Sequence, residues 1–142
     1  MKTSNYLIIS FLLLFSCVPE AGVERRNYIL INNSGKELRI EFYFYNIFKD
    51  SKIVNKEGVL EMLAKESMGR GITPLLAFDA DSIIVTYDNE KRQIYTRIVQ
   101  ANYQNVNPKL RNILEDATYS IDSEGLYRFT FTEEDYEKAE KL

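Results

Sequence analysis

The sequence predicts an all-β fold, an antiparallel β-sandwich of six or seven strands closed by a short C-terminal helix, and three observations predict it. From Leu38 to Tyr45 the chain alternates with a period of two, Leu38, Ile40, Phe42 and Phe44 on one face and Arg39, Glu41, Tyr43 and Tyr45 on the other. Short runs rich in β-branched and aromatic residues recur along the chain. Turn signals such as Asn32-Asn33-Ser34-Gly35 and Asp88-Asn89-Glu90-Lys91 punctuate them. At 142 residues there is chain enough for one domain.

The N-terminal segment reads differently. Met1-Lys2 supplies a positive start, and Tyr6 to Phe15 is a ten-residue apolar run, the length of a signal-peptide core. A bilayer span needs about 20 apolar residues, twice this run. Residues 1–16 are therefore expected to be a cleaved signal peptide. Leu14-Phe15-Ser16-Cys17 follows, and Cys17 is the only cysteine. The segment resembles the lipobox of bacterial lipoproteins, in which a Leu stands three before, and a small residue one before, a cysteine that becomes acylated and then N-terminal. Phe15 departs from that pattern at its loosely specified position. Acylation of Cys17 would give a membrane anchor, since each buried CH₂ contributes about 0.8 kcal/mol and two or three chains hold where one is marginal. Residues 17–25, punctuated by Pro19 and Gly22, read as the lipidated cysteine and an irregular tether. The sandwich domain is expected over 26–142.

Within that domain the first two strands, from Arg26 to Tyr45, read as a hairpin joined at Asn32–Gly35. Residues 59–68 have helix-forming composition, but Gly58 and Gly69 bracket them and the context favours a strand; a loop follows over 69–74. A second hairpin runs from Ser82–Tyr87 through Asp88–Lys91 to Gln93–Val99. Asn107-Pro108 opens a segment with Leu110, Ile113, Leu114 and Ala117 at helical spacing, which predicts a short helix with an Asn cap and Pro at its first position. The last strand, Leu126–Phe131, leads into a terminal helix from Thr132, with Asp135 placed for a capping box and Glu134–Lys138 and Glu137–Lys141 spaced for ion pairs. Ser123 to Phe129 resembles the Asp-x-Gly-x-Tyr corner of immunoglobulin-like domains, with Asp122 one residue early and no Trp in the chain. An immunoglobulin-like arrangement is one of several sandwiches compatible with these strands.

Composition narrows function by exclusion. The chain has no His, which removes histidine metal sites and Ser-His or Cys-His catalytic pairs. A net charge of −3 without a long basic run argues against nucleic acid as a partner. Asp79, Asp81, Asp88, Asn89 and Glu90 are oxygen donors of the kind calcium takes, but without EF-hand spacing they read as solvated loop residues. None of the 21 acids stands out as a glycosidase pair. Ser67 lacks a nucleophile-elbow context and a base, and Gly69-Arg70-Gly71 is not a phosphate cradle. No catalytic residue, metal or cofactor is expected. Tyr43 and Tyr45 beside Arg39 are candidates for a ridge that stacks on a sugar or a protein, competing with plain cross-strand pairing.

The lipobox, the tether, the opening Ile31-Asn32-Asn33-Ser34 turn, Asp81-Ser82-Ile83-Ile84-Val85, Arg111-Asn112-Ile113-Leu114 and the ending Tyr127 to Tyr136 together resemble small uncharacterised lipoproteins of Bacteroidetes-type bacteria. The resemblance implies an envelope location and a sandwich-like fold, and offers no catalytic residue. Asp81-Ser82-Ile83 also resembles the triplet at which such bacteria attach O-glycans, to Ser82. The expectation is a lipid-anchored, non-catalytic protein of the outer membrane that contacts another protein. A glycan-binding module is the first alternative and a carboxylate hydrolase the second.

Overall fold

The computed structural model describes residues 26–63, 71–97 and 111–142. The expected signal peptide, Cys17, the tether, Ser67 and the second half of the 59–68 segment lie outside the described residues. Nine strands are found among those described: β1 (Asn27–Asn33), β2 (Leu38–Phe44), β3 (Ile47–Val54), β4 (Val59–Leu63), β5 (Ser82–Tyr87), β6 (Lys91–Thr96), β7 (Ser120–Ile121), β8 (Tyr127–Thr132) and β9 (Glu140–Lys141). They form two sheets, ordered β4-β1-β8-β7 and β3-β2-β5-β6-β9, which is the all-β sandwich the alternating pattern predicts. The inward rows of both sheets make one core, in which Tyr28, Leu30, Leu38, Ile40, Phe42, Ile83, Val85, Phe129 and Phe131 are fully or almost fully buried. One pair departs from the antiparallel scheme: β1 and β8 run parallel, Tyr28 opposite Tyr127.

The predicted Arg26–Tyr45 hairpin is not one. β1 pairs with β4 and β8, and β2 with β3 and β5, so the Asn33–Glu37 turn crosses between sheets. Asn32 is the reason, because its buried amide satisfies carbonyls of both the crossover and the β3–β4 loop. Its Nδ2 donates to Lys36 O (2.7 Å), Asn55 O (2.9 Å) and Val54 O (3.1 Å), and its Oδ1 accepts from the Ser34 hydroxyl (2.7 Å) and N–H (3.1 Å). Two tight hairpins do form, at Tyr45-Asn46 (φ 49° and 62°) and at Asp88-Asn89 (φ 47° and 58°), the positive-φ pairs that match strand twist. The second was expected from its turn residues. Residues 59–63 are the strand that context favoured.

The predicted helix ending at Ala117 is also corrected. Residues 107–110 lie outside the described residues, and the rest is a turn followed by a 3-10 turn at Asp116–Thr118. Ile113 and Leu114 are buried as their spacing implied, but Asn112 Oδ1 takes the Leu114 N–H (3.0 Å) and its Nδ2 reaches Thr96 O (2.9 Å). An Asn side chain that bonds the backbone in this way competes with a helix. Among the described residues there are two short helices, α1 (Pro74–Phe78) and α2 (Glu133–Lys138). α1 begins inside the expected loop. α2 carries the predicted Thr132–Asp135 capping box and the Glu134–Lys138 pair (2.6 Å). It stops at Lys138, where the chain turns extended and adds β9 to β6.

This topology gives the sandwich two unlike ends. The chain enters at Arg26, and at that end lie the Tyr45-Asn46 turn, α1 and the turn before β8, tied by the ring contacts Tyr28–Phe78 (5.8 Å) and Phe42–Phe78 (6.0 Å). At the far end lie the Asn33–Glu37 crossover, the Asp88–Glu90 turn and the C-terminus, joined by Asp88 N–H to Glu37 O (3.0 Å) and Leu142 N–H to Glu90 O (3.1 Å).

Candidate interaction surface

Strand register fixes what the outer face of the five-stranded sheet presents. Reading across β3, β2, β5 and β6, one row is Ile53, Arg39, Thr86 and Arg92; the next is Ser51, Glu41, Ile84 and Ile94; the third is Phe48, Tyr43, Ser82 and Thr96. A bulge between Phe42 and Tyr43 shifts the register, so that Phe48 rather than Lys49 faces Tyr43. Ile53, Phe48 and Ile94 are half or more exposed, at 61%, 53% and 50%. The result is a mixed surface, in which Ile53, Ile84, Ile94, Phe48 and Tyr43 stand among Arg39, Arg92, Glu41 and four Ser and Thr residues.

The structure separates the three residues expected to form a ridge. Tyr43 is half-buried and packs edge-to-face on its cross-strand neighbour Phe48, with centroids 5.7 Å apart at 71°, the pairing that competes with free display of the ring. Its hydroxyl donates to Glu41 Oε2 (3.4 Å). Partial desolvation first, and the Glu41 carboxylate second, raise its phenol pKa above the ordinary value. Arg39, four residues along β2, is about 13 Å from Tyr43 at strand rise, with Glu41 between. Tyr45 belongs to the turn: it is 77% exposed, its N–H donates to Asp81 Oδ2 (2.9 Å), and its ring stands edge-on to Phe44 at 4.7 Å. Ser82, the expected O-glycan position, is half-buried at the start of β5 and donates to Asp81 Oδ1 (3.2 Å).

The weighed calcium donors also part company. Asp79 and Asp81 precede β5 at the entry end, whereas Asp88, Asn89 and Glu90 follow it, about 20 Å away at strand rise. Asp88 accepts the Glu37 N–H (2.8 Å), and Glu90 accepts the Tyr136 hydroxyl (2.8 Å). That hydroxyl first, then Lys36, holds the Glu90 carboxyl below its ordinary pKa. Other acids are ion-paired: Asp135 with Arg111 (2.6 Å), Asp122 with Arg128 (2.7 Å) and Asp116 with Arg26 (3.1 Å). Among the described residues no group of three or more His, Cys, Asp or Glu is placed to hold a metal. A shallow groove of about 600 Å³ at the far end is lined by Asn33, Gly35, Lys56 and Glu57, and it presents one cation and one anion from a loop.

The turn before β8 is organised by Asp122, whose Oδ1 accepts the Glu124 and Leu126 N–H groups (both 2.9 Å) and whose Oδ2 accepts Arg128 Nε (2.8 Å). The tyrosine that reaches back to upstream backbone is Tyr119, donating to Ile113 O at 2.6 Å. Phe48 and Ile53 do not stand out in the sequence because Lys49-Asp50-Ser51-Lys52 breaks the apolar run of β3, whereas Ile94 falls within the expected hairpin arm Gln93–Val99. The signal that would have found Phe48 and Ile53 is the pair of apolar doublets, Ile47-Phe48 and Ile53-Val54, flanking that polar stretch. Comparison of the chain with protein-family models, with curated proteins and with solved structures finds no match.

Proposed function

We propose that this chain is a lipid-anchored, non-catalytic protein of the bacterial envelope, held at the outer membrane through acyl chains on Cys17 and contacting another envelope protein with the outer face of its five-stranded sheet. The observation that carries the reading is Leu14-Phe15-Ser16-Cys17 set directly after a ten-residue apolar run, where a thiol is positioned for acylation rather than for chemistry. The sheet face supports the protein-contact half: Ile53, opposite Arg39, and Phe48 and Ile94 further along the same face are exposed, and aromatic residues and Arg are what protein interfaces enrich. A sugar platform needs exposed ring faces side by side, whereas Tyr43 is half-buried against Phe48 and Tyr45 belongs to the turn.

The test is metabolic labelling with palmitate in a bacterial host that acylates lipoproteins. The parent chain is expected to take up label and to fractionate with membranes, and Cys17→Ala to do neither. Equal incorporation in the two proteins would refute the anchor.

A further inference from the structure

The exposed apolar side chains are unevenly distributed. Tyr45 (77%), Ile47 (63%), Phe48 (53%), Leu76 (49%) and Ile121 (60%) lie at the end where the chain enters, against Ile53 (61%), Val59 (57%) and Leu142 (64%) at the far end. Those at the entry end come from four separate places in the fold, the β2–β3 turn, the start of β3, helix α1 and strand β7, so no single strand pattern accounts for the gathering. The far end is the more densely charged: Glu133, Glu134 and Asp135 open α2 and Asp88 and Glu90 flank the adjoining turn, with Lys36, Arg111 and Lys138 paired to acids among them.

Charge at the entry end is muted. Asp116 and Asp122 are matched by Arg26 and Arg128, Asp81 is engaged by the Tyr45 N–H and the Ser82 hydroxyl, and Lys49 lies 5.8 Å over the Phe44 ring. Asp79 and Glu124 are there too, offset in sign by Lys49 and Arg97. An apolar tip with an amphipathic Tyr and a Lys whose ammonium stands over a ring is the composition of a surface that sits in a lipid headgroup layer.

We propose that this tip, with Tyr45 and Ile47 at its centre, docks onto the lipid surface that anchors the protein. The inference rests on the Cys17 reading, because residues 17–25 reach at most about 30 Å, and they enter the fold at the apolar end. Acyl chains in the bilayer therefore keep the point where tether and fold join, which lies at this end, within about 30 Å of the headgroups. Tethering makes the contact intramolecular, so a patch too weak to bind membranes alone still engages. Docking also turns the outer sheet face sideways, leaving Arg39 and Ile94 open to a neighbouring protein.

The chain has no Trp, so one introduced indole is a unique reporter. The full acylated protein is reconstituted into phosphatidylcholine vesicles with and without brominated acyl chains, as Tyr45→Trp and, at the far end, Lys141→Trp. The expected result is blue-shifted emission and bromine quenching for Tyr45→Trp and neither for Lys141→Trp, with the quenching largely lost when Ile47→Ser and Leu76→Ser are added. If the protein floats with the vesicles but the indole at 45 stays unquenched, or both indoles are quenched alike, the docking proposal is overturned while the anchor stands, and the tip then belongs to a protein partner. If the acylation-site protein does not float with vesicles, the anchor reading itself fails, and this inference with it.

Discussion

Asn32 has no exposed surface, yet it is one of the most polar side chains in the core region. Burying an amide is unfavourable unless its hydrogen bonds are replaced, and here five contacts from one side chain join the crossover turn to the β3–β4 loop. The Asn32 N–H adds a backbone bond to Gly58 O at 2.9 Å. Asn32→Leu keeps the branched shape but leaves three carbonyls and the Ser34 donors competing for partners in a buried site. The expected cost is about 3 kcal/mol, since each buried group stranded in this way costs about 1–3 kcal/mol and some will find water. A urea titration of the domain, compared at unchanged slope, measures it; a loss below about 1 kcal/mol would show that the amide does not organise the crossover. The turn signal at 32–35 was legible because it is local. That the turn changes sheets was not, because it depends on carbonyls more than twenty positions further along the chain.

β3 is the element most exposed to unwanted pairing, an eight-residue strand at the sheet edge with most of its residues in solvent. Asp50 and Lys52 stand opposite the buried Phe42 and Ile40, so they point to the core side of the sheet, where they pair with each other at 2.6 Å. The Lys52 contact, before any other cause, holds the Asp50 carboxyl below its ordinary pKa. Inward charges and a bulge are the means by which edge strands resist adding another strand. Asp50→Val with Lys52→Val removes that guard and leaves only Lys49 and Ser51 polar along the edge. The double variant should elute from size exclusion as dimers or larger species at concentrations where the parent is monodisperse; an unchanged profile would mean that the bulge alone protects the edge. The same stretch shows why β3 was illegible in sequence, since the residues that defend the edge interrupt the alternation by which a strand is recognised. By contrast, the Thr132–Asp135 capping box and the Asp88-Asn89 hairpin were legible because each closes its hydrogen bonds within a few residues. α1 was missed because five residues from Pro74 carry too little periodicity, and the 111–117 spacing misled because a buried turn needs the same apolar residues as a buried helix.

At the scale of the whole molecule the core is stitched by tyrosines rather than by disulfides, and this fixes how the fold responds to alkali. Tyr28, Tyr87, Tyr95 and Tyr119 are all buried. Burial is the largest cause raising each phenol above its ordinary 10.0, and the Asp116 carboxylate pushes Tyr28 further in the same direction. Tyr28 donates to Asp116 Oδ1 at 2.8 Å and lies within 3.3 Å of Ile72 O, a contact that needs its proton. The sign follows from linkage: a folded-state pKa above the unfolded one means that the folded chain holds protons the unfolded chain gives up, so the stabilisation is complete below pH 10 and is lost as pH climbs past it. Four such groups act together because they share one core, with Tyr28 and Tyr119 rings 5.1 Å apart and Tyr119 packed on Phe129. The domain should therefore hold its near-ultraviolet dichroism to about pH 10 and then lose it cooperatively, with the buried share of tyrosinate absorbance appearing in the same transition rather than before it. Tyr28→Phe removes one of the linked protons and should flatten the fall of stability with pH above 10. If tyrosinate from all nine tyrosines of residues 26–142 rose smoothly while the dichroism persisted, the core would be open to hydroxide, and the two sheets could not be closed over these rings.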